Sequence, residues 1–218
     1  MQSKIFLFLI CVLIYFSQGT IGLTSQAGQG DQPGEAISLE IDAQDYLKKS
    51  VDEILATIQD PEFTKDPDEQ EKVLYGRAVV LFDFKTFSML SLGRKFRSFS
   101  KDQKEEFVYY FSKLISQTYF TRLAGQDVQN ITVNYLGNRP LTPKKNIFRT
   151  DISTQIVQGD NQIPVTYRMI KKKASNWKIY DIKVAGVSMA ANYREQYRQK
   201  ISQTPEAIIK ELREKVEK

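Results

Sequence analysis

Two aspartates lie where a carboxylate could act as a base, because each is enclosed by large apolar residues. Asp83 stands in the run LFDF, and Asp181 stands in the run IYDI. Burial penalises the charged form of a carboxyl group and raises its pKa, which is the property a general base needs. The alternative is a structural carboxylate that caps a helix or pairs with an arginine such as Arg94 or Arg194. We favour the structural interpretation for both aspartates.

The other acidic groups fit helix surfaces better than catalysis. Asp66, Asp68 and Glu69 form a cluster around Pro67, but the cluster lacks the glycine and the spacing of a calcium loop. Acidic residues beside a proline are typical of a helix start. The neighbouring carboxylate pairs are all expected on exposed helix faces: Asp42 with Asp45, Asp52 with Glu53, and Glu105 with Glu106.

The single cysteine lies in a segment with the order of a secretory signal peptide. Lys4 precedes the apolar run IFLFLICVLIYF, which contains Cys11, and the small residues Ser17 and Gly19 follow it. We therefore expect a signal peptide over 1–22 and a flexible leader over 23–36. The rest of the chain has no cysteine or histidine. This excludes disulfides, Cys/His zinc sites and Ser–His or Cys–His catalysis there.

The charge balance is basic, with 31 Lys and Arg against 26 Asp and Glu. The excess is concentrated between residues 168 and 200. A basic face on an exported protein suits anionic lipid head groups or an acidic protein partner. Nucleic acid is a poor candidate for a protein outside the cytoplasm.

Helical periodicity marks the first part of the chain. Three helices are expected over 43–58, 66–83 and 84–93. A fourth helix begins at Ser100, where Ser100 and Gln103 form a capping box, and it continues to the stop at Gly125.

Alternation of apolar and polar residues after position 130 indicates strands. We expect the first strand to end in a turn at Asn138-Arg139-Pro140, and the second in a hairpin turn at Gly159. Four hairpin-linked strands make an antiparallel meander, and helices packed around it give an α+β fold with an apolar interior. The expected strands lie at about 131–135, 146–158, 163–169 and 177–184, with helices over 187–201 and from Thr204 onward.

Two blocks of sequence carry a family resemblance. The first is FDFKTFSMLSLGRKF at 82–96, which continues into SKDQ at 100–103. The second is WKIYDIKVAGVSM at 177–189, followed by NYR. Together they resemble the MlaC/toluene-tolerance family, the periplasmic phospholipid carriers of Gram-negative bacteria. Phe96 stands where the family often has Trp, and Ala185 stands where it often has Glu.

The resemblance implies a nuclear-transport-factor-like cone, in which a four-stranded antiparallel curved sheet is wrapped by a helical subdomain. It implies one lipid-binding domain over 37–218, with a helical part, a sheet and C-terminal helices. The boundaries of these parts are 37–125, 126–185 and 187–218. It also implies that the acyl chains of a phospholipid lie between sheet and helices, with no cofactor and no catalysis.

The same resemblance implies where the protein works and with what. A periplasmic monomer would exchange phospholipid with an outer-membrane lipoprotein–porin complex and with an inner-membrane ABC transporter. It would thereby maintain the lipid asymmetry of the outer membrane. Such a carrier has a physical rationale, because exposing one acyl chain of about 16 carbons to water costs roughly 13 kcal/mol.

The resemblance and the alternating strands together predict the residues that line the pocket. For any single aromatic residue, ordinary core packing is the competing interpretation. The predicted lining consists of Phe84, Met89, Leu92, Phe107, Phe111, Tyr135, Ile152, Val165, Tyr167, Met169, Trp177 and Ile179.

Two alternatives stay open at the level of sequence. One is an enzyme on the same cone-shaped fold, with Asp83 or Asp181 as a base for an apolar substrate. The other is a carrier of a different lipid, such as a hopanoid, or an export chaperone.

Overall fold

The computed structural model describes residues 37–60, 62–63, 66–120, 131–172 and 175–217. The expected signal peptide at 1–22 and leader at 23–36 lie outside these residues, as do the helix stop at Gly125 and the start of the sheet at 126. The assignment of 37–218 to one domain with three parts stays a prediction.

Within the described residues, four α-helices precede the strands in the sequence and two follow them. A 3₁₀-helix, Gly93–Ser98, follows the third α-helix, and a π-helical turn, Ser116–Phe120, follows the fourth. The α-helices are α1 (Ile37–Gln59), α2 (Pro67–Leu81), α3 (Phe84–Leu92), α4 (Lys101–Ile115), α5 (Met189–Arg198) and α6 (Pro205–Val216).

Local capping chemistry sets most helix starts, as the sequence predicts. The Asp66 carboxylate accepts hydrogen bonds from the amides of Asp68 and Glu69 at 2.9 and 3.2 Å and so caps α2. Ser100 and Gln103 form the predicted capping box of α4. Gly93 ends α3 with a φ of 55°, a left-handed conformation that glycine adopts without a Cβ penalty.

The strands form one antiparallel sheet in sequence order, β1-β2-β3-β4-β5. Its hairpin connections keep neighbouring strands adjacent, so the predicted meander is confirmed. The strands are β1 (Ile131–Lys144), β2 (Ile147–Gln158), β3 (Asn161–Lys172), β4 (Lys178–Val184) and β5 (Val187–Ser188).

The expected turn at Asn138-Arg139-Pro140 is wrong, because these residues lie inside β1. Pro140 pairs with Thr150 of β2. It is tolerated because β1 is an edge strand, with β2 as its single partner strand among the described residues. The chain turns later, at Lys145 and Asn146, whose φ values of 49° and 60° are those of a tight two-residue hairpin.

The expected count of four strands is also wrong, because a fifth short strand replaces the predicted helix start at Val187. Ala185 and Gly186 have φ values of 48° and 84° and make a second two-residue turn. Val187 therefore pairs with Val184. Helix α5 begins only at Met189, where the Ser188 hydroxyl accepts a hydrogen bond from the Ala191 amide.

Strand register divides the sheet into two faces. The inner face carries the apolar core, and α1 lies against β1 and β2 while α3 and α5 lie against β4. The outer face carries Asp151, Arg168 and Asp181, which pair across β2, β3 and β4. The inner face consists of Ile131, Val133, Tyr135, Phe148, Thr150, Ile152, Thr154, Ile156, Ile163, Val165, Tyr167, Met169, Ile179, Ile182 and Val184.

Two features are absent from the described residues. No helix there has both the length and the apolar character needed to cross a bilayer. The same residues hold no group of three or more His, Cys, Asp or Glu side chains arranged to bind a metal ion.

Candidate functional site

The centre of the inner face is closed, and its surroundings are not. Ile152, Met169 and Ile179 are at most 1% exposed. The apolar side chains around them pack against the same core but retain accessible surface. An apolar wall with accessible surface next to a packed core can receive an apolar ligand. The half-buried residues of this wall are Ile131, Tyr135, Phe148, Tyr167 and Ile182.

Tyr167 combines burial with accessible surface on this wall. Burial raises the pKa of its phenol to about 12, so the hydroxyl is surrounded by protein. The side chain is nevertheless only half-buried. The accessible part of the Tyr167 side chain adds to the apolar surface that this wall offers to a ligand.

Tyr135 lies on the same wall, one strand beyond β2. Its hydroxyl is buried and has no hydrogen-bond partner among the described residues. Burial is the main cause that raises the pKa of this phenol, followed by the nearby Tyr167 and Asp52. A buried hydroxyl without a partner costs roughly 1–3 kcal/mol.

An aromatic cluster fills the helical side of the interior. The rings of Phe87 and Phe111 stack with centroids 5.5 Å apart, and Phe107 lies 5.2 Å from Phe111. Tyr193 and Tyr197 of α5 meet Phe111 edge-on at 5.0 and 6.0 Å. Such edge-to-face pairs are a stable aromatic arrangement, so this cluster is a packed core.

The aspartate in the run IYDI is held by a complete set of donors. The Asp181 side chain is 1% exposed and accepts hydrogen bonds from the Ala190 amide at 3.0 Å and the Ser188 hydroxyl at 2.7 Å. The guanidinium of Arg168 lies 3.4 Å away and also contacts Asp151. Asp181 therefore ties β4 to the start of α5, as the structural interpretation predicts, although its arginine is not Arg94 or Arg194.

The aspartate in the run LFDF caps α3. Asp83 accepts hydrogen bonds from the amide and the hydroxyl of Thr86 at 2.9 and 2.7 Å, and it pairs with Lys172 at 2.5 Å. Burial by itself raises the pKa of Asp83, but the bonds from Lys172 and Thr86 outweigh burial and hold this pKa below its ordinary value. The raised pKa that a buried base would need is absent, which favours the structural interpretation of Asp83.

The family model described as MlaC protein matches residues 48–214 of this sequence. The chain belongs to the MlaC family. The resemblance of its two sequence blocks to that family is thereby confirmed. The described residues form an α+β fold with one antiparallel sheet and six α-helices.

Two known proteins are similar to this MlaC-family chain. The intermembrane phospholipid transport system binding protein MlaC of Haemophilus influenzae is 26% identical over 151 residues, which cover 66% of this chain and 67% of that protein. A phospholipid-binding protein of Ralstonia solanacearum, solved in complex with a phospholipid, superimposes with a TM-score of 0.69 at 26% identity. That match covers 79% of this chain and 96% of the other.

The twelve predicted lining residues fall into different environments in this MlaC-family fold. Half of them share the inner face of the sheet, Phe107 and Phe111 belong to the aromatic cluster, and Met89 is 45% exposed. Leu92 and Trp177 are buried at 4% and 2%. The six on the inner face are Tyr135, Ile152, Val165, Tyr167, Met169 and Ile179.

Phe84, the remaining predicted residue, lies in a second concavity. This groove of about 460 Å³ runs between α2, the start of α3 and α4, where Phe84 stacks on Phe82 at 5.4 Å. Lys85, Lys104 and Lys178 stand along it. The groove is separate from the inner face of the sheet, so Phe84 does not join the six residues there.

Some residues of the MlaC-family interior escaped the sequence prediction. Ile182 continues the inner-face row of β4, and the alternation in KIYDIKV could have identified it if the bulge between Arg168 and Met169 had been foreseen. Tyr193 is half-buried, with its pKa raised well above the ordinary value by burial and by Tyr119. Its place in the second sequence block was the available signal.

Proposed function

We propose that this chain is a periplasmic phospholipid carrier that holds acyl chains against the inner face of its sheet. The observation that carries the proposal is the half-buried apolar wall around Tyr167, in a chain of the MlaC family. The phospholipid in the similar Ralstonia protein supports the choice of ligand.

The energy of lipid transfer explains why such a wall is needed. Each acyl chain of about 16 carbons loses roughly 13 kcal/mol of favourable transfer free energy when it enters water. A carrier must offset most of that cost with apolar contacts. The side chains of Ile131, Phe148 and Ile182 offer such contacts without the need to unfold the closed centre of the sheet.

The carrier would move lipid between the two membranes of a Gram-negative envelope. Its partners would be an outer-membrane lipoprotein–porin complex and an inner-membrane ABC transporter, and its work would maintain outer-membrane lipid asymmetry. The expected signal peptide and the name of the Haemophilus relative support this placement. The chain would act as a monomer and bind no nucleic acid.

Binding without catalysis is the activity that the two enclosed aspartates favour. Asp83 and Asp181 each accept hydrogen bonds from a helix start and an ion pair from a basic side chain. These contacts give both carboxylates a structural role, which favours binding over acid–base chemistry. Replacement of either by asparagine should lower stability and leave lipid binding in place.

Lipid extraction tests the proposal directly. The purified mature chain should release phospholipid into organic solvent in a fixed molar ratio to protein, as measured by mass spectrometry. The delipidated protein should then take phospholipid from liposomes. A hopanoid or another lipid in the extract would favour a carrier of a different lipid. An extract without lipid, together with no uptake from liposomes, would contradict the proposal.

A matched pair of variants tests where the lipid binds. Ile182 and Lys183 are neighbours on β4 and point to opposite faces of the sheet. Ile182→Gln places an amide on the apolar wall and should reduce lipid uptake at least tenfold, whereas Lys183→Gln should leave it unchanged. Circular dichroism of both variants checks that they are folded. Equal uptake by both folded variants would remove the inner face as the binding site.

A further inference from the structure

Tyr135 brings a hydroxyl group to a wall where phenylalanine would pack as well. The hydroxyl is buried and has no hydrogen-bond partner among the described residues. Buried polar groups in folded proteins are nearly always paired, so an unpaired one calls for a water, an ion or a ligand. The packing of the described residues gives no reason for this oxygen.

Tyr167 places a second hydroxyl on the same wall. The two tyrosines lie on β1 and β3, on either side of Ile152 and Thr154 of β2. They are close enough that Tyr167 contributes to the raised pKa of Tyr135. Tyr167 is itself deeply enclosed and still has accessible surface. Among the half-buried residues of the wall, these two tyrosines carry the polar groups, and their phenols can donate hydrogen bonds.

A ligand for this pair must combine acceptor oxygens with long apolar chains. Alkyl chains carry no acceptor, and a charged head group loses too much hydration to enter an apolar interior. In a diacyl lipid the ester carbonyls remain, because they join the chains to the glycerol and enter with them. A carbonyl oxygen accepts a hydrogen bond from a phenol hydroxyl in good geometry.

We propose that the hydroxyls of Tyr135 and Tyr167 bind the ester carbonyls of a diacyl lipid and make the interior selective for ester-linked over ether-linked lipid. The inference rests on the proposed function and adds to it a contact that distinguishes ester from ether linkages. It also gives the unpaired hydroxyl of Tyr135 a partner in the loaded protein.

The test compares two lipids that differ only in that linkage. Delipidated protein is titrated with a diester phosphatidylglycerol and with the diether lipid of identical chains and head group, each in competition with a fluorescent fatty acid. The wild type should prefer the diester by about fivefold for each hydrogen bond made. Tyr135→Phe and Tyr167→Phe should each lower diester affinity by that factor and leave diether affinity unchanged.

Tyr180→Phe is the matched control. Its hydroxyl is also buried without a partner among the described residues, but its ring lies 4.9 Å from the Arg168 guanidinium on the outer face of the sheet. This variant should keep the wild-type preference for the diester. If Tyr180→Phe also lost the preference for the diester, the loss would reflect a general change in stability. The proposed carbonyl contact on the inner face would then be wrong.

A second measurement separates ligand binding from packing. Tyr135→Phe removes an unpaired buried oxygen, so the melting temperature of the lipid-free protein should stay the same or rise while diester affinity falls. A merely structural tyrosine would lower both quantities when changed.

The outcomes distinguish this inference from the function on which it rests. If wild type and all variants bind both lipids with equal affinity, the carbonyl contact is wrong and the carrier function stands. If the wild type binds neither lipid, the carrier function itself is wrong.

Discussion

The two faces of the sheet differ in how far their buried polar groups are paired within the described residues. On the outer face, the Asp151 and Asp181 side chains are at most 5% exposed, and each has an arginine partner. Asp181 also accepts hydrogen bonds from an amide and a hydroxyl. On the inner face, the hydroxyls of Tyr135 and Thr150 are buried without a partner among the described residues.

This difference supports the proposal that the inner face binds lipid, while the outer face contributes to stability. A buried charge without a partner would unfold the protein, so each carboxylate of the outer face is fully engaged within the chain. An unpaired hydroxyl costs far less and can be kept where a ligand supplies the missing contact. The outer face has one such group, Tyr180, which shows that the contrast is one of degree.

The largest effect is expected at Asp181. Asp181→Ala removes the acceptor for the Ala190 amide and one charge partner of Arg168, and it should lower the free energy of unfolding by about 3–5 kcal/mol. Urea denaturation measures this loss. Asp45→Ala, at an exposed position of α1, serves as the control and should change stability very little. A small effect at Asp181 would mean that the outer network is not structural.

Two threonines of β2 make a matched pair within the inner face. Both are 1% exposed, but the Thr154 hydroxyl donates to the Val165 carbonyl at 3.0 Å, whereas that of Thr150 has no partner among the described residues. Thr150→Val should stabilise the lipid-free protein by about 1 kcal/mol, and Thr154→Val should destabilise it by about 1 kcal/mol. Thermal unfolding of both variants measures these changes in stability. Changes of the same sign would contradict the contrast between the two threonines.

Asp83 extends the comparison to pH. Its folded-state pKa is lowered, so its contribution to stability is complete above the unfolded pKa of about 3.9 and is lost as the pH falls through the lower folded value. Asp83→Asn should cost about 1 kcal/mol at pH 7. The difference from wild type should vanish in strong acid. Denaturation curves between pH 7 and pH 2 measure this convergence, and a constant difference would contradict it.

The smallest effect is expected at the rim of the outer network. The Arg139 side chain is 72% exposed and contacts Asp151 at 2.9 Å. Solvent screens this pair, and Arg168 still contacts Asp151 when Arg139 is removed. Arg139→Ala should therefore cost about 0.5 kcal/mol or less. A loss as large as that of Asp181→Ala would make the rim, too, part of the structural network.

Local features of this protein were predictable from short stretches of sequence. The capping box at Ser100, the cap at Asp66 and the hairpin turn at Gly159 depend on residues within a few positions of one another. Apolar alternation likewise predicted that Ile152, Met169 and Ile179 face the interior, although it predicted them as pocket lining and they are buried. These interactions are short-range, so the sequence alone determines them.

Features that depend on residues far apart in the sequence are visible only in the tertiary structure. Pro140 lies in a strand because β1 is at the sheet edge, and Asp181 pairs with Arg168 because a bulge brings β3 and β4 into that register. No spacing in the sequence foretells that Thr150 lacks a hydrogen bond while Thr154 has one. Such differences arise because the partner of each side chain is a residue distant in the sequence, which neighbouring residues do not specify. The candidate lipid site depends on contacts of this kind.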